Sequence, residues 1–516
     1  GHAQQSAHGL LTFPFTIRNQ FTTSMSTQDA GLALRKDILS FKRKFFQDAQ
    51  KEAKSATTKA YVFGSNIDHT RADRLLEILQ SHDIKVHTLS KKVSTGGHQF
   101  DAGDGYIVPT DQYQYKLIKT IFEEVKTFKD SLFYDVSAWT LPHAFDLEYG
   151  EVKGNPSSHI GSIASPKSRE YYTSIGEDPY GYIADWSAYG APTFLDKILK
   201  KGITVRVSHK DFTANINGKN QAFRKGTLII PNENKGISGS ELKSLVQKLA
   251  EKHKVPTTEI SSGLTNGGFS LGSPSMSSLD KVNVAILVGE GVNSYDAGEA
   301  WHQMDQNFKI ATPLLDINSL GRMNLDRYDV LIMSDGNYNA LNGDVDKLKA
   351  WIRGGGNLVA SKRAIDWLIS KELCSAKKVT SKEEEKRKKG VYNKRSPERG
   401  AQVTGGAITN VKVDLTHPLF YGYNDSYLAT FKKGNNFYEP LGDIYNTPGR
   451  YTSTPVLSGY LHRKNVDKVK NSAAVFVDRQ GRGKVIGLVD NPNFRGYWWG
   501  SSKLFANAIF MSQTIF

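Results

Sequence analysis

The sequence predicts a multi-domain α/β protein, ending in a doubly wound parallel sheet and carrying a second, smaller α/β unit. Three observations predict it. Residues 282–288, 330–333 and 357–360 are short, nearly unbroken apolar runs, as strands buried on both faces require. Helical patterns at 297–306 and 344–353 lie between those runs, and strand–helix alternation favours a parallel sheet. At 516 residues the chain is also too long for one hydrophobic core.

Taken in order, residues 1–54 read as the end of a preceding unit. Residues 10–17 (LLTFPFTI) form a short apolar strand, and Pro14 places it at an edge. An amphipathic helix over 28–51 follows, with Leu34, Ile38, Phe41 and Phe45 at helical spacing. Residues 55–150 read as the small α/β domain. Strands are expected at 60–63, 84–89 and 106–108, with helices from Asp68 or Thr70 to Ser81 and over 112–128; the alternation suggests a parallel sheet. Residues 151–279 are mixed, with strands at 203–207 and 226–230, a helix over 238–253 and a Gly/Ser-rich loop over 263–278. Residues 280–516 complete the terminal domain. Strands at 472–477 and 484–488 flank a tight turn, and a helix over 502–510 closes it. A charged insertion is expected near 376–400.

The net charge of +15 admits nucleic acid, acidic glycans or an anionic envelope as partners. The charge is spread thinly, however, and its one concentration, residues 377–399, mixes both signs. Tyr392 is the sole aromatic there, so that run reads as a solvated loop and not as a stacking platform for bases. No apolar run reaches the ~18 residues that cross a bilayer. The opening residues lack the basic start and apolar core of a signal peptide, and Gly1 suggests a fragment or processed product. One cysteine, Cys374, excludes an intramolecular disulfide framework.

No histidine pair matches H-x-x-E, H-x-x-H or H-E-x-x-H, so no metal site or other cofactor is expected in this chain. Of three H-x-x-D pairs (His98/Asp101, His143/Asp146, His302/Asp305), only the last falls on a convincing helix, and it reads as a solvent-facing or cap-bound pair. Cys374 follows no strand and reads as a structural thiol. Ligands of open α/β sheets sit beyond the carboxyl ends of the strands. Those ends carry Glu290, Asp335, Asn337, Ser361, Lys362, Asp490 and Asn491, with Arg495 and Tyr497 close behind, which makes these residues the candidate binding crevice. Glu290 or Asp490 is a candidate base and Ser361 the one candidate nucleophile, although Asp and Asn at strand ends also cap helices and shape turns. The triplet Gly354–Gly356 precedes a strand, so it reads as a helix C-cap and not as a phosphate loop. Tyr497, Trp498 and Trp499 (RGYWWG) suit either stacking on a glycan or packing in the core.

Two resemblances add to this reading. The opening GHAQQSAHGLLTFPFTIRNQFTTSMST resembles the segment that closes the catalytic domain of bacterial zinc carboxypeptidases of the carboxypeptidase A-like superfamily. The stretches SLFYDVSAWTLPHAF, FRKGTLIIP, SSGLTNGGFSLGSPSM, VNVAILVGEGVNSYDAGEAWHQMDQ and GLVDNPNFRGYWWGSSKLFANAIF resemble the C-terminal region of large secreted members of that family. The resemblance implies that the zinc ligands and general-base glutamate lie upstream of Gly1. It implies a secreted or periplasmic protein whose full-length form hydrolyses peptides with zinc-activated water. This chain would be its accessory, non-catalytic region, with a peptide substrate or its own upstream catalytic domain as partner. The terminal domain further resembles class I glutamine amidotransferase-like domains. The matching stretch is GGGNLVASKRA, in which Ser361 and Lys362 fall where the family carries its cysteine elbow. The alternatives are a serine-dependent hydrolase or amidase using Ser361, with His417 as a possible partner, and a glycan or cell-wall binding module.

Overall fold

The computed structural model describes residues 3–7, 9–133, 135–380 and 391–515. Gly1, the start of the peptidase-like opening, and residues 381–390 of the expected charged insertion lie outside the described residues.

The N-terminal strand expectation holds only for Gly9–Leu11, which pairs antiparallel with Gln4–Ser6, and is corrected beyond it. Chain 13–55 forms two helices, α1 (Phe13–Ala33) and α2 (Arg35–Ser55), broken at Leu34. Thr12 caps α1 by accepting from the Phe15 N–H, and Pro14 sits in the first turn, where a missing N–H costs nothing. No residue of α1 is buried. α2 touches the body through Ala49 and Ala53, which pack with Tyr115.

The first sheet holds β1 (Ala60–Gly64), β2 (His87–Leu89), β3 (Tyr106–Pro109), β4 (Glu148–Val152) and β5 (Ile160–Ile163), in the order β4-β1-β3-β2-β5. The parallel arrangement expected here is also corrected, because every recorded pairing in this sheet is antiparallel. Helix α3 (His69–Ser81), capped by Asp68, does link β1 to β2 as a crossover. The two strands run alike, yet β3 enters between them in the opposite sense. Helix α4 (Tyr115–Phe122) is shorter than its pattern suggested.

A second, six-stranded sheet contains Gly181–Ala184, Val205–Ser208 and Leu228–Pro231. It is flanked by Ala191–Leu199 and by α5 (Gly239–His253), whose start is a capping box between Ser238 and Glu241.

The terminal sheet has nine strands. In chain order these are β6 (Val284–Val288), β7 (Leu314–Asp316), β8 (Val330–Met333), β9 (Asn357–Ser361), β10 (Ala407–Val413), β11 (Tyr427–Lys432), β12 (Gly449–Ser458), β13 (Ala473–Gln480) and β14 (Gly483–Leu488). The spatial order is β7-β6-β8-β9-β14-β13-β12-β10-β11. The segment β7-β6-β8-β9-β14 is parallel, and the strands beyond β14 extend it antiparallel.

Alternate residues of β6 face opposite cores. Val284 and Ile286 join Met304 and Phe505, whereas Ala285 and Leu287 join Leu348 and Ile365. Helices α6 (Ser294–His302) and α9 (Trp499–Phe510) therefore cover one face, and α7 (Val345–Gly354) and α8 (Arg363–Ser370) cover the other. This is the doubly wound arrangement. Gly355, at φ 128°, caps α7, and a Cβ on Gly356 would strike the Trp351 indole, so the glycine triplet serves a close turn.

One core runs from Tyr172 to Met511 and joins the second sheet to the terminal domain. Its pivot is α9, buried from Gly500 to Phe510. Another core joins Tyr61, Phe63 and Phe122 to Ile408, Phe431 and Trp498, so the first sheet packs against β10 and β11.

Candidate functional site

The parallel strands bring a polar cluster to their carboxyl ends. β9 delivers Lys362 at the sharp turn into α8, with φ 51° and ψ −122°. That conformation is sparsely populated for a residue with a Cβ and persists only where packing holds it. Lys362 is buried; its Nζ lies 2.6 Å from Asp296 Oδ1 and 3.9 Å from Asp335 Oδ2. Asp335 also accepts from Arg363 Nε at 2.7 Å. Asn491 Nδ2 donates to Asp296 at 3.0 Å and to Glu299 at 2.5 Å. The Arg495 backbone N–H reaches Glu299 Oε1 at 2.8 Å. Burial pushes the Glu299 carboxyl up to about 7; the Arg495 N–H opposes this shift, and the Asp296 charge adds to it.

The sequence-predicted crevice therefore assembles in part. Asp335, Lys362, Asn491 and the Arg495 backbone converge, joined by Asp296 and Glu299 of α6, which sequence reasoning passed over. Glu290 and Asn337 are exposed on two loops that pair through Val292 and Gly336. Asn337 spends its side chain on the Asn339 N–H. Asp490 turns to the antiparallel half and binds Lys432 Nζ at 2.9 Å and Tyr451 Oη at 2.6 Å. The Arg495 side chain pairs with Asp135 at 2.8 Å. Tyr497 is partly buried beside Phe494 and Trp498.

Ser361 is half-buried, and no hydrogen-bonding base engages its Oγ among the described residues. The space between Asp296, Ser334, Ser361, Asn491 and Phe505 is a cavity of about 20 Å³. A single water needs roughly 10–15 Å³ by that kind of measure, so no substrate-sized group fits there.

The remaining candidates sit as follows. Burial pushes the Cys374 thiol up to about 12, as suits an inert core cysteine. Burial pulls His417 down to about 4, and its Nδ1 caps the Leu419 N–H. Trp498 is buried, and Trp499 stacks on Tyr189 at 3.8 Å, so the aromatic tail packs inward. His302 lies against Gly496, and Asp305 bonds Gln306, so this pair does not converge as metal ligands. Among the described residues, no group of three His, Cys, Asp or Glu side chains is placed to hold a metal.

A second polar cluster was not anticipated. Glu124 Oε1 accepts from Tyr149 Oη at 2.9 Å and lies 2.9 Å from His143 Nε2, at the edge of a cleft of about 670 Å³. Burial alone would raise the Glu124 carboxyl, but His143, Tyr149 and Lys126 bring it down to about 2. The H-x-x-D spacing in the sequence pairs His143 with Asp146. Instead Asp146, at φ 53°, turns to Arg71 at 2.8 Å. No spacing rule links His143 to a glutamate 19 residues earlier.

No family model matches the chain, and no curated protein matches it. Solved structures similar to it include PurLQS from Thermotoga maritima, at 16% identity and TM-score 0.29, covering 44% of this chain and 96% of that one. A glutamine amidotransferase from Thermotoga maritima is similar at 12% identity and TM-score 0.26, covering 44% and 82%. An exo-beta-1,4-mannosidase from Opitutaceae bacterium strain TAV5 is similar at 12% and 0.27, covering 44% and 35%. Glutamine amidotransferase-like folds are thus among the structures this chain is similar to; none of these matches bears on a carboxypeptidase.

Proposed function

We propose that this chain is the accessory, non-catalytic C-terminal region of a secreted or periplasmic zinc carboxypeptidase-like protein. The peptidase chemistry, with its zinc and general-base glutamate, would belong to the upstream domain. The observation that carries the non-catalytic reading is Lys362. The strained turn that would present a nucleophile presents an ammonium instead, tied to Asp296, and the space beside the neighbouring Ser361 has room for one water. An ammonium held by a carboxylate has no free lone pair with which to attack. The N-terminal helices fit the same reading. Phe13, Ile17, Phe21, Met25 and Leu32 stay exposed on α1, as do Leu34 at the break and Ile38, Phe41 and Phe45 on α2. Contiguous apolar surface of this kind marks a face for a further domain.

The test is zinc content and carboxypeptidase turnover of the isolated chain, together with labelling by a serine-reactive probe. Neither stoichiometric zinc nor turnover is expected, and Ser361 should stay unlabelled. Tightly bound zinc with turnover would overturn the reading, as would labelling abolished by Ser361→Ala.

A further inference from the structure

The cleft beside Glu124 is a surface feature that the reading above leaves unexplained. It opens where the first sheet meets β10–β12, with Tyr149 and Gly150 of β4 on one side and Asn410, Tyr427 and Leu457 on the other. Its volume, about 670 Å³, falls in the range of ligand sites, which favour such junctions. A second cavity of about 450 Å³ adjoins it, with Asn66, Ile67 and Asn424 lining both, so the two lie end to end along the surface. A groove of that form suits an extended chain better than a compact metabolite.

Its lining also runs against the charge of the molecule. The chain carries +15, yet the first cavity is lined by Glu124, Asp146, Glu148, Glu151 and Asp425 against a single lysine, Lys153. Two of these carboxylates are already balanced: Glu124 by His143 and Lys126, and Asp146 by Arg71. Among the described residues, the other three accept only from neutral donors. Asn66 Nδ2 lies 3.3 Å from Glu148, Thr58 Oγ1 lies 3.0 Å from Glu151, and the Tyr427 N–H lies 2.9 Å from Asp425. The half-exposed Tyr427 also lines the cavity, and its ring can face a cation. The Glu124–His143–Tyr149 bonds hold one edge of the groove in a single arrangement before any ligand arrives, which lowers the ordering cost of binding.

We propose that this groove binds an extended basic peptide, whose lysine or arginine side chains enter the cavity at Glu148, Glu151 and Asp425. The inference stands on the groove alone and does not depend on the carboxypeptidase reading.

Calorimetric titration of the 516-residue chain with pentalysine, pentaglutamate and maltopentaose tests it. A molecule of net charge +15 favours pentaglutamate in bulk, so a preference for pentalysine requires a local acidic site. Pentalysine should bind, and binding should weaken at least about tenfold in the E148Q/E151Q double variant. Both side chains reach solvent, so the fold should survive, as thermal unfolding will show. The surface variant Asp467→Asn, outside the groove, should bind like the parent. Three results would overturn the proposal: unchanged pentalysine affinity in the double variant, preference for pentaglutamate, or binding of maltopentaose without pentalysine.

Discussion

Lys362 combines two costs in one residue. Its backbone sits at φ 51°, and its ammonium is buried against Asp296. Removing the ammonium leaves Asp296 buried with, among the described residues, only the Asn491 side chain to answer its carboxylate, and losing one partner of a buried pair typically costs about 3 kcal/mol. Lys362→Ala and Lys362→Gly should both lose about that much in chemical denaturation. The glycine variant should be the more stable of the two by about 1 kcal/mol, because glycine accepts positive φ. Equal stability of all three proteins would show that neither cost is real. Glu299 supplies a pH signature. Its folded carboxyl is raised to about 7 from 4.5, so the folded state holds a proton that the unfolded state has released. Stability is then present below pH 4.5 and lost as pH rises toward 7, by an amount on the order of 2 kcal/mol. The Glu299→Gln variant should lack this decline, as unfolding free energies between pH 4.5 and 7.5 will reveal. Ser361 was the more visible residue in the sequence, but the strained turn belongs to its neighbour. Which of two adjacent side chains occupies an elbow depends on strand register against α8, and residue type alone does not specify it.

Among elements, α5 was the most legible. Ser238 and Glu241 announce its start, and the structure places the reciprocal capping bonds there. Ser238→Ala should cost about 1 kcal/mol of stability by denaturant titration. The least legible was α1. Its apolar residues read as a strand with an edge proline, yet Thr12 and Pro14 make a helix start. A short apolar run is ambiguous between strand and helix, and only the cap breaks the tie. With no buried residue, α1 has little tertiary support, and isolated helices are marginal in water. Hydrogen exchange should find α1 amides the least protected of the long helices and α9, buried along its length, among the most protected. Equal protection would mean that something already covers α1.

At the scale of the whole molecule, the core running from Tyr172 to Met511 joins residues that the sequence assigns to two regions, 151–279 and 280–516. Lys503 of α9 is fully buried and donates to the carbonyls of Trp186 and Ala188 at 2.6 and 2.7 Å. Asn507 likewise bonds the Trp186 indole and the Leu419 and Tyr421 carbonyls. Such shared burial couples the two regions energetically. Calorimetry should show them melting in one transition, and separate melting of residues 151–279 would contradict the coupling.

The sequence by itself determined the terminal α/β architecture, the runs that became β6, β8 and β9, the glycine stop after α7 and the structural character of Cys374. Each is set by residues within a few positions of one another, where periodicity, capping and turn chemistry act. The tertiary structure alone decided that β3 enters between β1 and β2, that Lys362 closes the crevice onto Asp296 of another helix, and that the open groove lies instead at the junction beside Glu124. Those outcomes depend on partners that are distant in the chain, and composition and spacing carry no record of which distant groups will be buried together.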